Sequence, residues 1–98
     1  MGTKISVSVD TKLEKYPKAT ATFDGTNTPR FWHDPVLRKS LADAINLAGD
    51  NKDIFDYCNF LFSHVNNAIR RRYGGQELQL ESVTVIGQFG DNSITSYQ

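Results

Sequence analysis

The run from Asp50 to Gly75 constrains the fold more than any other part of the chain. Ile54, Cys58, Leu61, Val65 and Ile69 recur at three- and four-residue steps, joined by Phe55, Phe62 and Ala68, and predict one helix with a broad apolar stripe. Asp50 or Asn51 stands where an N-cap oxygen is needed, and Asp53 and Asp56 meet the positive end of the helix. Arg70, Arg71 and Arg72 fill the last turn, and Gly74 and Gly75 provide the stop. A rod of about 22 residues is roughly 33 Å long. The rest of a 98-residue chain must pack against its stripe.

Before this helix, Ile5, Val7 and Val9 alternate with Ser6 and Ser8, and Ala19, Ala21 and Phe23 alternate with Thr20 and Thr22. That period of two predicts two strands with one apolar face and one hydroxyl face, joined as an antiparallel hairpin through the segment holding Tyr16 and Pro17. The small Ala19 and Ala21 are expected to let the long helix lie close over the second strand. Asp34 and Pro35 read as N-cap and first residue of a shorter helix, which carries Leu37, Leu41, Ala44, Ile45 and Ala48 until Gly49. Beyond Gly75, Leu78 and Leu80 share one phase of a strand and Val83 and Val85 the other, so a bulge is expected near Glu81 and Ser82. Gly87 to Gly90 is turn or close-approach chemistry.

These elements predict an α+β fold, a two-layer β-β-α-α-β arrangement with a three- to four-stranded antiparallel sheet and two helices on one face. Residues 1–98 are expected to form one domain. Residues 91–98 form a flexible tail in this reading unless Ile94 pairs as a short last strand. The expected core is Ile5, Val7, Val9, Ala21, Phe23, Leu37, Leu41, Ile45, Ile54, Cys58, Leu61, Val65, Val83 and Val85.

Eleven basic side chains balance eleven acidic ones, so no global field draws the chain to nucleic acid or anionic lipid. No apolar run reaches membrane-spanning length and no leader precedes the first strand, which predicts a soluble, cytoplasmic protein with no membrane partner. The single cysteine excludes an internal disulfide.

No constellation supports catalysis, and the expectation is a protein that is not an enzyme, without metal or cofactor. Cys58 and His64 are separated by about 240° around the helix and form no local dyad. Asp34 beside His33 is better used as a helix cap than as an orienting carboxylate. Neither histidine belongs to a metal-ligand spacing.

Two binding readings follow. The first is a small interaction protein, a homodimer or higher oligomer that binds and modulates a protein partner as regulator or inhibitor. Its expected surfaces are the sheet edge and the aromatic segment Arg30, Phe31, Trp32 and His33. The alternative is a binder of nucleic acid or of a nucleotide-like anion, with Arg70, Arg71 and Arg72 holding the charge and Tyr73 or Phe89 offering a stacking face. Arg72 lies eighteen residues after Ile54. That separation is five turns, so Arg72 extends the apolar stripe. Glu77 and Glu81 are its expected internal partners, and cations at a helix C-terminus also complement the dipole.

Overall fold

The computed structural model describes residues 3–25, 34–49 and 51–96. Its elements run β1 (Thr3–Asp10), β2 (Lys18–Gly25), α1 (Pro35–Ala48), α2 (Ile54–Glu77), β3 (Leu78–Ile86) and β4 (Asn92–Ser96). The strands form one antiparallel sheet in the order β1-β2-β3-β4. The fold is α+β, as the alternation and the two helical periods predict. The fourth strand arises because Ile94 pairs with Thr84, which draws Asn92–Ser96 into the sheet.

Register explains the core. Ile5, Phe23 and Leu80 lie side by side across three strands, as do Val7, Ala21 and Val83, and Val9, Ala19 and Val85. Apart from the half-buried Val9, all of these are buried. A large side chain facing the helices contributes about 1.5–3 kcal/mol by leaving water. On the opposite face Ser6 and Thr22 approach to 3.2 Å, and Ser8 and Thr20 to 3.0 Å, so the hydroxyls satisfy one another across the strands. The predicted phase conflict in β3 is resolved at Glu81. Ser82 faces Thr22 and Leu80 faces Phe23, leaving Glu81 with no opposite residue. This one-residue bulge puts Leu78, Leu80, Val83 and Val85 on the same face.

Both helices are capped by aspartate. Asp34 Oδ1 accepts from the Val36 N–H at 2.8 Å, and at the far end of α1 the Gly49 N–H donates to the Ile45 carbonyl at 3.1 Å, with Gly49 at φ +65°. α2 starts later than the sequence suggests. Asp53, rather than Asp50 or Asn51, is the cap, accepting from the Asp56 N–H at 2.8 Å. The cause lies outside the helix: the Lys52 carbonyl accepts from the Tyr16 hydroxyl and from Lys15 Nζ, which keeps Lys52 out of the first turn. The helical path breaks at Gly74, φ +73°, a region costly for a residue with a Cβ. Gly75–Glu77 then turn the chain straight into β3.

The buried face of α2 is Tyr57, Cys58, Leu61, Val65 and Ile69. Tyr57 stacks on Tyr16 with ring centroids 4.6 Å apart, and this pair takes the position at the helix start that the period offered to Phe55, which is 67% exposed. Ile54 is only partly buried. Because α2 leads directly into β3, it returns chiefly over β3 and β4 and not over β2 as the small alanines suggested, while α1 packs between α2 and β1. Among the described residues no helix is long and apolar enough to cross a membrane.

Candidate functional site

The arginine triplet divides by azimuth. All three guanidinium groups lie on the exposed end of α2, but Arg71 and Arg72 face the start of α1 and Arg70 does not. The two helices leave a groove of about 400 Å³ there, with Val36 and Ala68 as its apolar floor and Lys39, Ser40 and Asp43 on the α1 wall. Three cations and one carboxylate thus meet in one place.

The cations differ in how they are held. Lys39 Nζ lies 2.9 Å from Asp43 Oδ2, one turn along α1, and both are solvent-exposed. Arg71 Nε donates to the Asn67 carbonyl at 3.3 Å, which fixes the stem and leaves the outer edge of the guanidinium uncommitted. Arg72 lies 6.0 Å from the centre of the Tyr73 ring. Among the described residues neither Arg71 nor Arg72 joins an ion pair. Glu81, an expected partner of Arg72, instead accepts from Lys4 Nζ at 2.7 Å. That hydrogen bond and the carboxylate charge hold the Lys4 ammonium above its ordinary range.

Phe89 is elsewhere. It stands 88% exposed at the tip of the β3–β4 hairpin and borders a smaller groove of about 160 Å³ with Tyr16, Ile54, Asp53 and Asp91. Ile54 opens α2 and Arg72 lies near its end, about 27 Å away along the axis. The structure therefore brings Arg71 and Arg72 together, keeps Tyr73 beside them, and separates Phe89 from all three. The hairpin is fixed where it approaches the β1–β2 loop: the Gln88 N–H donates to the Lys15 carbonyl at 3.0 Å, and the Gly90 N–H to the Gly87 carbonyl at 3.1 Å.

The second candidate surface is the outer edge of β1, which pairs with no other strand among the described residues. The Thr11 N–H donates to the Pro17 carbonyl across the hairpin, so odd-numbered positions of the strand turn their backbone groups toward β2. The Ser8 carbonyl accepts from Arg38 Nη1 at 3.1 Å on the outer side, which fits the same alternation. Lys4, Ser6, Ser8 and Asp10 accordingly turn their N–H and C=O groups outward. No proline interrupts these eight residues and no bulge bends them. Ile5 and Val7, at 7% and 8% exposure, stay slightly open, whereas Ala21 and Phe23 beside them are sealed.

Arg30, Phe31, Trp32 and His33 lie outside the described residues. Cys58 is buried, its thiol directed at the Val83 carbonyl (3.2 Å) and the Ser93 carbonyl (3.3 Å). His64 stacks on Phe60 with centroids 5.6 Å apart, on another side of α2. Three participants escaped sequence reasoning. Lys39 and Ser40 join the arginines only because α1 and α2 run antiparallel, a placement that their short connection could have suggested. Tyr16 reads as a turn residue in sequence yet is 2% exposed, and only its size signals burial. No protein-family model matches this sequence, and no curated protein matches it.

Proposed function

We propose that the chain is a small non-catalytic interaction protein that self-associates and modulates a protein partner by pairing along the outer edge of β1. The observation that carries this reading is the row of outward backbone groups at Lys4, Ser6, Ser8 and Asp10. An added strand satisfies such a row with main-chain hydrogen bonds, and side chains on alternate positions set the register.

The edge is complementary to itself. In an antiparallel pairing of two copies centred on Val7, Lys4 stands opposite Asp10, Ser6 opposite Ser8, and Ile5 opposite Val9. This pattern repeats what β2 already supplies on the inner side, where Lys4 faces Asp24, Asp10 faces Lys18, and serines face threonines. Opposite charges across strands favour a register and like charges penalise one. A second copy would also cover the open margins of Ile5 and Val7 and join the two sheets into one.

Ser6→Pro tests the reading without knowledge of the heterologous partner. Ser6 turns its N–H away from β2, so proline removes a donor that no described residue uses, as edge strands tolerate. Size-exclusion chromatography with light scattering should show a wild-type dimer, a Ser6→Ala dimer and a Ser6→Pro monomer with an unchanged circular dichroism spectrum. Wild-type protein that is monomeric at every concentration, or a dimer indifferent to proline, would sink the proposal. Arg38→Ala should tighten the dimer, because Arg38 occupies the Ser8 carbonyl that the second copy needs.

A further inference from the structure

We infer that the groove between the start of α1 and the end of α2 binds a small-molecule phosphate, free or as a monoester, through Arg71 and Arg72 of α2 and Lys39 and Ser40 of α1.

The charge of the site fits that ligand. Arg71, Arg72 and Lys39 against Asp43 leave two uncompensated positive charges in a chain whose total is zero, so the excess is local and not a share of a basic surface. A phosphate monoester near neutral pH carries about −1.5 to −2. Adjacent guanidinium groups with no carboxylate partner among the described residues give planar donor pairs, the arrangement in which arginine outperforms lysine for phosphate oxygens. Arg71 is already oriented by its Nε bond to the Asn67 carbonyl, so part of the ordering cost is met before the ligand arrives.

The helix geometry adds to this. The groove opens beside the first turns of α1, whose positive end carries no acidic residue within the first turn beyond the cap Asp34. The Ser40 hydroxyl is a neutral donor on the same wall, and Val36 and Ala68 give an apolar floor. A volume of about 400 Å³ exceeds what one phosphate fills, which leaves room for the carbon body of an ester. A polynucleotide suits the place poorly. Asp43 stands among the cations, and the chain as a whole offers a further run of phosphates no net attraction.

The test is a titration of the full chain, followed by amide and arginine Nε–Hε resonances, with inorganic phosphate, glycerol 3-phosphate and chloride at matched ionic strength. Saturable shifts should appear at Arg71, Arg72 and Ser40 with both phosphates and not with chloride. Tighter binding of glycerol 3-phosphate identifies the ester as the ligand source, and equal binding identifies the phosphate group alone. Arg71→Ala with Arg72→Ala should weaken binding by about tenfold or more, as expected from losing charge-assisted hydrogen bonds. Arg70→Ala removes one positive charge, against two in the double variant, from the same helix end outside the groove and should leave binding within about twofold, since only a solvent-screened charge is lost.

All three arginines are exposed, so both variants keep the fold, and amide dispersion verifies it. Absence of saturation below about 10 mM, where binding is weaker than any useful site, would overturn the inference. So would equal losses in the Arg70 variant and the double variant, because they would reduce the effect to nonspecific charge.

Discussion

Deleting Thr84 should abolish or severely weaken folding, whereas deleting Glu81, three positions away in the same central strand, should leave a folded protein. The difference follows from the bulge. Glu81 is the residue of β3 that has no opposite partner on β2. Without it, Leu78, Gln79, Leu80, Ser82, Val83, Thr84 and Val85 alternate without interruption, and each keeps its present neighbour on β2. The losses are the surface pair with Lys4 and the local bend, and a buried Glu81 oxygen that lacks a hydrogen bond disappears as well. Stability should stay within about 1–2 kcal/mol of the parent, the range of ordinary point changes.

Loss of Thr84 instead makes Val83 and Val85 adjacent, so one of them must face the hydroxyl side or a polar residue must enter the core. Either adjustment removes a buried valine and misplaces a hydroxyl, together about 3–5 kcal/mol, a large part of what holds a domain of this size. Urea titrations of the two deletion variants decide the matter. Similar midpoints for both would mean that the strand slips freely and that Glu81 is not a register marker.

The second large effect is alkaline. Burial, aided by the neighbouring Tyr16, pushes the Tyr57 phenol up from 10.0 to about 12. The folded state therefore retains a proton that the unfolded chain releases near pH 10. Below that pH the full stability is present. As pH rises from 10 toward 12 the unfolded state is increasingly favoured by ionisation, and the loss by pH 12 is about 2–3 kcal/mol. Tyr57→Phe should remove this component while preserving the stack on Tyr16. Its hydroxyl makes no hydrogen bond among the described residues, so at pH 7 the variant should match the parent or exceed it by up to about 1 kcal/mol. Urea midpoints at pH 8 and pH 12 check both statements; parallel losses in parent and variant would assign the alkaline sensitivity to other groups.

Periodicity carried most of the architecture. The alternations at Ile5–Val9 and Ala19–Phe23 and the three- and four-residue steps of both helices are local, and each element formed where its pattern lies. The break of phase around Glu81 was legible for the same reason, since it is a contradiction inside one short segment. What local pattern does not contain is contact between distant segments. The start of α2 at Asp53 depends on Tyr16 seizing the Lys52 carbonyl, and the exposure of Phe55 depends on the same ring stacking on Tyr57. The candidate groove has the same character. Arg71 and Arg72 could be singled out from their place at a helix end, but Lys39 and Ser40 enter only through the packing of one helix on the other. Phe89 and the arginines looked like neighbours in composition and proved to occupy opposite ends of the longest helix.

The thiol of Cys58 is enclosed by the layer that α2 forms with β3 and β4, pointing at one carbonyl on each strand. An alkylating reagent can reach it only when that layer separates. Being the sole thiol in the chain, it gives the protein an internal clock for its own opening. The alkylation rate of native protein, divided by that of the urea-unfolded chain, yields the equilibrium constant for lifting the helix from the sheet when reclosure outpaces the reagent. A surface ligand that stabilises the helix pair would slow this clock without ever approaching the sulfur.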